Sequence, residues 1–144
     1  MSSQRKRREK VEKILQRIVG ESSSGVIIIV EGKKDEAALR RLGVTGPIVC
    51  FKSSGKTLSD FLSGIHEEKT IVLTDFDKEG KNLSDRIVRE LAHLKVRTDN
   101  VPRKQLGALT RQYVRSVEEL SEFVEKMRAE ELSVSHTKRR SRII

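Results

Sequence analysis

The chain has one cysteine, no tryptophan, four phenylalanines and one tyrosine. The single thiol, Cys50, excludes an internal disulfide and fits a reducing compartment. No apolar run approaches the roughly 18–20 residues of a membrane span. The opening MSSQRKRREK is basic, but no apolar stretch follows it, so it does not read as a secretory signal. A cytoplasmic protein is the expectation. His66, His93 and His136 have no spacing that suits a shared metal. With so few aromatic rings, base stacking is excluded as a major mode of nucleic-acid recognition. Contacts to nucleic acid would fall mostly on phosphate, and so suit structured RNA or duplex DNA better than bare single strands.

What the chain does have is charge. Its net charge is +9 over 144 residues. Residues 1–13 hold six basic side chains (Arg5, Lys6, Arg7, Arg8, Lys10, Lys13) against two acidic ones. Residues 136–144 add Lys138, Arg139, Arg140 and Arg142 with no acid. The stretch between is close to neutral. Basic ends on a near-neutral domain suit contact with phosphate backbones, although charged ends also simply stay solvated.

The organisation follows from periodicity. Val11, Ile14, Leu15, Ile18 and Val19 mark an amphipathic helix. Its Arg-rich first turns carry the wrong sign for the helix dipole, which favours an external anion over helix stability as their reason. VIIIV (26–30), GPIVCF (46–51) and KTIVLT (69–74) read as strands buried on both faces, and KVRT (95–98) as a short fourth. Short helices follow the first two. Leu83, Ile87, Leu91 and Leu94 form one helical stripe after the third. VPRKQLGALTRQYV gives a helical turn and an extended piece. Ser116 and Glu119 then stand at capping-box spacing before the stripe Val117, Leu120, Val124, Met127. Three parts are expected: a basic helix or arm over 1–23, an α/β domain over 24–132, and a basic disordered tail over 133–144. Alternating strands and helices predict a mostly parallel four-stranded sheet flanked by helices, with ligands beyond the carboxyl ends of the strands.

Two of those strand ends are acidic. VIIIV runs into Glu31-Gly32, and KTIVLT runs into Asp75, Asp77 and Glu79. Residues two apart on an extended chain face one way. Two carboxylates about 5–6 Å apart at an effective dielectric near 20 repel by roughly 3 kcal/mol, so a fold that keeps them together supplies a cation, a shared proton or water. Oxygen ligands without His or Cys suit a hard cation, Mg2+ or Mn2+. Lys33, Lys34, Lys78 and Lys81 flank the acids and are candidates to hold phosphate. The alternative for Asp77 is a plain helix cap, with Asp75 merely ending a strand.

The ordered pair VEGKKDEAAL and TDFDKEGKNL resembles the Toprim domain of topoisomerases, bacterial primases and certain nucleases. The opening EGKKD also resembles that of small stand-alone Toprim proteins and of a ribonuclease that matures a small ribosomal RNA. The resemblance spans roughly residues 24–130 and implies a Rossmann-like Toprim fold. It implies metal binding by Asp75 and Asp77, with Glu79 and Gly80 matching the type IA topoisomerase version. Glu31 would be a metal ligand or a general acid/base. The chain lacks a topoisomerase's nucleophile domain: its one tyrosine, Tyr113, reads as packing. Surfaces for primase chemistry are missing too, and Phe76 stands where related nucleases often have proline.

CFKSSGKT approaches a phosphate loop, but Cys50 replaces the first glycine that the tight wrap needs. Ser53, Ser54 and Gly55 read instead as a strand-to-helix turn, with Lys52 and Lys56 within reach of a nucleic-acid backbone. Two functions stay open: a Mg2+-dependent phosphodiester enzyme acting on RNA or DNA, and a non-catalytic nucleic-acid-binding subunit of a larger processing assembly.

Overall fold

A computed structural model describes residues 3–111 and 113–143, with the side chains of 134–143 left outside the description. The elements are α1 (Ser3–Ser23), β1 (Ile27–Val30), α2 (Lys33–Arg41), β2 (Ile48–Cys50), α3 (Leu58–Ser63), β3 (Lys69–Val72), α4 (Lys78–His93), β4 (Arg97–Asp99), α5 (Val101–Thr110) and α6 (Val117–Ile143). All strand pairs are parallel, in the order β2-β1-β3-β4. This is the expected α/β fold, with a wholly parallel sheet between two helical layers.

Pleating sorts the strand residues. Ile28, Val30, Ile71 and Leu73 face a core shared with α1, α2, α5 and α6. Ile29 and Val72 face the other way, onto Leu58 and Leu62 of α3 and Ile87 and Leu91 of α4. The central strands β1 and β3 are thus buried on both faces, as their β-branched runs predict. β2 differs: it is an edge strand and only half-buried, so Cys50 is not a full core residue.

Three stretches refine the expectations. The basic N-terminal segment is the expected amphipathic helix, and it packs into the domain: Val11, Leu15 and Ile18 are fully or almost fully buried in the larger core. Arg17 also reaches Asp99 (2.7 Å) and Lys69 reaches Glu21 (2.8 Å), tying α1 to the sheet. VPRKQLGALT is a complete helix, α5; Pro102 sits in its first turn, where a missing N–H costs nothing. The backbone over 133–143 continues α6 without a break, since that stretch contains neither Gly nor Pro. Elsewhere Leu94, expected on the α4 stripe, is 48% exposed because it lies past the last helical residue. Among the described residues no helix is long and apolar enough to cross a membrane.

Candidate active site at the ends of β1 and β3

β1 pairs with β2 on one side and β3 on the other, so the chain's crossovers leave it in opposite directions. The crevice at such a switch point is where open α/β sheets hold ligands. Register places Ile29 beside Val72, which brings Glu31 level with the start of the β3–α4 loop.

Glu31 is 4% exposed and has both carboxylate oxygens engaged. The Asp75 amide donates to Oε2 (2.7 Å), and Lys52 Nζ lies 2.9 Å from Oε1. Lys52 also donates its amide to the Glu31 carbonyl (2.7 Å), so β2 delivers a cation to the end of β1. The hydrogen bond and charge of Glu31 push the Lys52 ammonium up from its ordinary value.

Asp75 is half-buried beside this pair. Its Oδ1 accepts from the Val117 amide at the start of α6 (3.3 Å). Burial, reinforced by the negative charges of Asp35 and Glu31, pushes the Asp75 carboxyl up to about 7. A side-chain hydrogen bond to Glu31 also contributes to raising Asp75. Asp35, 7% exposed, completes a triplet of acids that the sequence reading did not assemble. It accepts from the Gly32 amide (3.1 Å), and burial, then Glu31 and Glu118, raises its pKa while the Gly32 and Glu118 amides lower it. The first amides of α6 therefore face two of the three carboxylates, where the positive end of the helix dipole partly offsets their charge. The signal for Asp35 was the last letter of EGKKD.

Asp75 and Asp77 take different partners, Asp75 the Val117 amide and Asp77 the Gly80 amide. β3 stops at Val72, and the alternation of an extended chain has ended before Asp75. Asp77 turns to cap α4, its Oδ1 accepting from the Gly80 amide (2.7 Å), and Glu79 is exposed in the first helical turn. Of the four acids expected to bind metal, the structure brings together Glu31 and Asp75 and leaves Asp77 and Glu79 outside the pair. Among the described residues, no three His, Cys, Asp or Glu side chains are grouped to hold a metal ion.

The loop carrying Asp75 is rigidly held. Thr74 Oγ1 donates to the Gly80 carbonyl (2.6 Å). Arg103 of α5, 6% exposed, donates through Nε to the Thr74 carbonyl (3.2 Å) and through Nη2 to the Asp75 carbonyl (2.6 Å). Burial pulls the Arg103 guanidinium below its usual value, while Asp85, Asp77, Glu31 and Asp75 push it back up. The Phe76 amide donates to the Arg115 carbonyl (2.7 Å). A Cβ on Gly80 would lie 1.9 Å from the Asp75 carbonyl oxygen, so only glycine permits this approach. Sequence reasoning missed Arg103, which lies in the stretch read as the least regular.

The other basic candidates scatter. Lys33, Lys34, Lys56, Lys78 and Lys81 are exposed around the rim of this edge of the sheet. Arg8 is paired with Glu130, Arg5 with Glu9, and Arg7 lies over the Tyr113 ring (5.7 Å to the centroid). Lys6 is exposed on α1. Tyr113, read as packing, is 55% exposed and stacks on Phe123. The side chains of Lys138, Arg139, Arg140 and Arg142 lie outside the described residues. The CFKSSGKT turn closes on itself: Ser54 Oγ donates to the Phe51 carbonyl (2.6 Å) and accepts from the Lys56 amide (3.2 Å).

Sequence comparison places the chain among archaeal proteins. A UPF0292 protein of Pyrococcus furiosus is 37% identical over 120 residues, covering 83% of this chain and 88% of its own length. A UPF0292 protein of Methanosarcina acetivorans is 30% identical over 126 residues, covering 87% of each chain. The chain belongs to the UPF0292 family. No family model matches it. A solved structure of a putative protein from Aquifex aeolicus, 24% identical, superposes with a TM-score of 0.62 over 75% of this chain and 95% of that one. That likeness supports the fold alone. The UPF0292 name carries no activity, so function rests on the site.

Proposed function

We propose that this UPF0292 protein is a cytoplasmic Toprim-like protein that binds nucleic acid and cleaves a phosphodiester bond of RNA or DNA with the help of Mg2+ or Mn2+. The observation that carries the reading is the Glu31–Asp75 carboxylate pair at the β1/β3 switch point. Lys52 and the α6 amides face this pair, yet the Asp75 carboxyl is still raised to about 7. Burial is the larger cause of that rise, and the neighbouring charges of Asp35 and Glu31 add to it. Mg2+ is typically held by one or two carboxylates, with water and substrate phosphate filling the remaining positions. Two adjacent carboxylates fit that need. Glu31 and Asp75 would hold the ion, which when bound supplies Lewis-acid polarisation of the scissile phosphate.

The chain's own groups have separate tasks. With its carboxyl raised to about 7, Asp75 is placed to take up or release a proton near neutral pH. Arg103 and Gly80 fix the loop that presents Asp75. Lys52 orients Glu31. Asp77, as the cap of α4, sets where that helix begins, and so where Lys78 and Lys81 stand.

The test is cleavage of labelled structured RNA and duplex DNA with Mg2+, with Mn2+ and with chelator, for the natural protein and Asp75→Asn. Metal-dependent cleavage lost in a folded Asp75→Asn protein is the expected result. A second reading, a non-catalytic subunit of an RNA- or DNA-processing assembly, is favoured by the position of Asp77, which caps α4. Binding without cleavage in any metal, unchanged by Asp75→Asn, would establish that reading instead.

A further inference from the structure

Beside the acid pair a cleft of about 660 Å³ opens between the first turns of α4 and the length of α5. Its walls are basic. Lys78 and Lys81, three residues apart, share one face of α4. Lys104 and Arg111 stand seven apart, on one face of α5 continued by the residue after it, and Arg115 closes the far end. All five are exposed. None forms a salt bridge with a described residue, whereas Arg8, Arg17, Arg40, Arg41, Lys52, Lys69 and Arg128 all do. The acids in the lining are Asp77 and Asp85, and Asp77 is already capping α4.

The floor is built to be close and firm. Phe76 lies over Gly107, where a Cβ would come within 3.3 Å of its ring. Val114 is buried beneath. The Phe76–Arg115 backbone bond stitches the far wall to the loop that carries Asp75. Only Lys78 and Lys81 of this set were visible as candidates in the sequence. The α5 cations were hidden because that helix was not expected.

Cations gathered in a concave site, with no ion-pair partner among the described residues, attract an anion, and several in a row match a repeating one. We infer that the α4–α5 cleft is the track along which a phosphodiester backbone lies, with Lys104, Arg111 and Arg115 gripping phosphates next to the acid pair. This rests on the reading of the chain as a nucleic-acid protein, and it places the grip on α5, away from the basic ends. Single-stranded and duplex nucleic acid offer the same phosphate chemistry, so the experiment separates them.

Binding of labelled single-stranded RNA, duplex RNA and duplex DNA of equal length would be measured in chelator over a range of salt. The proteins compared are the natural chain, Lys104→Gln/Arg111→Gln, and Lys10→Gln/Lys13→Gln on α1, which removes the same charge elsewhere. Melting curves check that each folds. The cleft variant should bind at least roughly tenfold more weakly, and its log–log salt slope should be shallower by about 2 on duplex, the loss of two phosphate contacts. The α1 variant should change both much less. Equal loss in the two variants, or none in the cleft variant, overturns the inference, as does no binding by the natural chain. Cleavage that persists with an unaffected cleft variant would leave the proposed activity standing without the track. Cleft-dependent binding without cleavage in Mg2+ or Mn2+ would do the reverse.

Discussion

The two sides of the β3–α4 loop handle charge in opposite ways. On one side Glu31, Asp35 and Asp75 are buried or half-buried, and almost every oxygen described has a partner: Lys52, a backbone amide or each other. On the other side five cations stand in water without an ion-pair partner among the described residues. The difference follows from solvation. A charge withdrawn from water must be compensated or it takes up or releases a proton, whereas an exposed one keeps its hydration and stays available. The acids are therefore tunable in protonation, and the cations are free to engage an outside anion. The loop between them is what keeps the two environments apart.

The most damaging way to break this arrangement is at the loop itself. Gly80→Ala drives a Cβ into the Asp75 carbonyl, and backbone cannot yield as a side-chain end can. A loss of about 4 kcal/mol, or failure to fold, is expected in urea unfolding. Arg103→Ala removes the two bonds that hold the Thr74 and Asp75 carbonyls and leaves those acceptors buried. It should cost about 3 kcal/mol, with Arg103→Lys recovering only part, since one ammonium cannot span both carbonyls in the same fork.

The next change tests the acidic side by pH. The folded pKa of Asp75, about 7, lies above the ordinary value of 3.8, so between those values the folded state holds a proton that the unfolded chain has released. Stability from this group is complete below pH 4 and is lost as pH rises through 7. Asp75→Asn should therefore be more stable than the natural protein at pH 8 without metal, by about 2 kcal/mol, the half-exposure of the group reducing the full effect. The two should converge near pH 4. Added Mg2+ should narrow the gap at pH 8 by stabilising only the natural chain, and a melting series with and without chelator reads it directly. The last effect belongs to Lys52→Ala. Lys52 is itself 57% exposed at its side chain, but its loss leaves Oε1 of the buried Glu31 without its cation, so about 1–2 kcal/mol should be lost in the same urea assay.

Much of the fold was legible because the central strands carry their burial in plain form. VIIIV and KTIVLT have no polar alternation, and both are buried on two faces in adjacent parallel strands. The less legible parts turn on residues with two readings. Pro102 and Gly107 look like breakers, yet one occupies a tolerant first turn and the other makes room for Phe76. Of the site, Glu31 and Asp75 were found from their place after buried strands. Asp77 could be read as ligand or cap, and the choice depended on where β3 stops, one or two residues that pattern alone does not fix. Asp35 stood in view as the last letter of EGKKD, whereas the α6 amides were out of reach, because they join the site across more than forty residues of chain.

The seating of α1 has a consequence for how the chain comes to be folded. Glu12 is held by Arg128 (2.8 Å) and Arg8 by Glu130, and the apolar face of α1 shares a core with α6. A ribosome delivers α1 well before α5 and α6. During synthesis its stripe of valine, leucine and isoleucine must wait for those two helices before it is fully covered. The larger core cannot close from α1 and the first strands alone, so the acidic site, capped by the first amides of α6, is assembled only once α6 has been made.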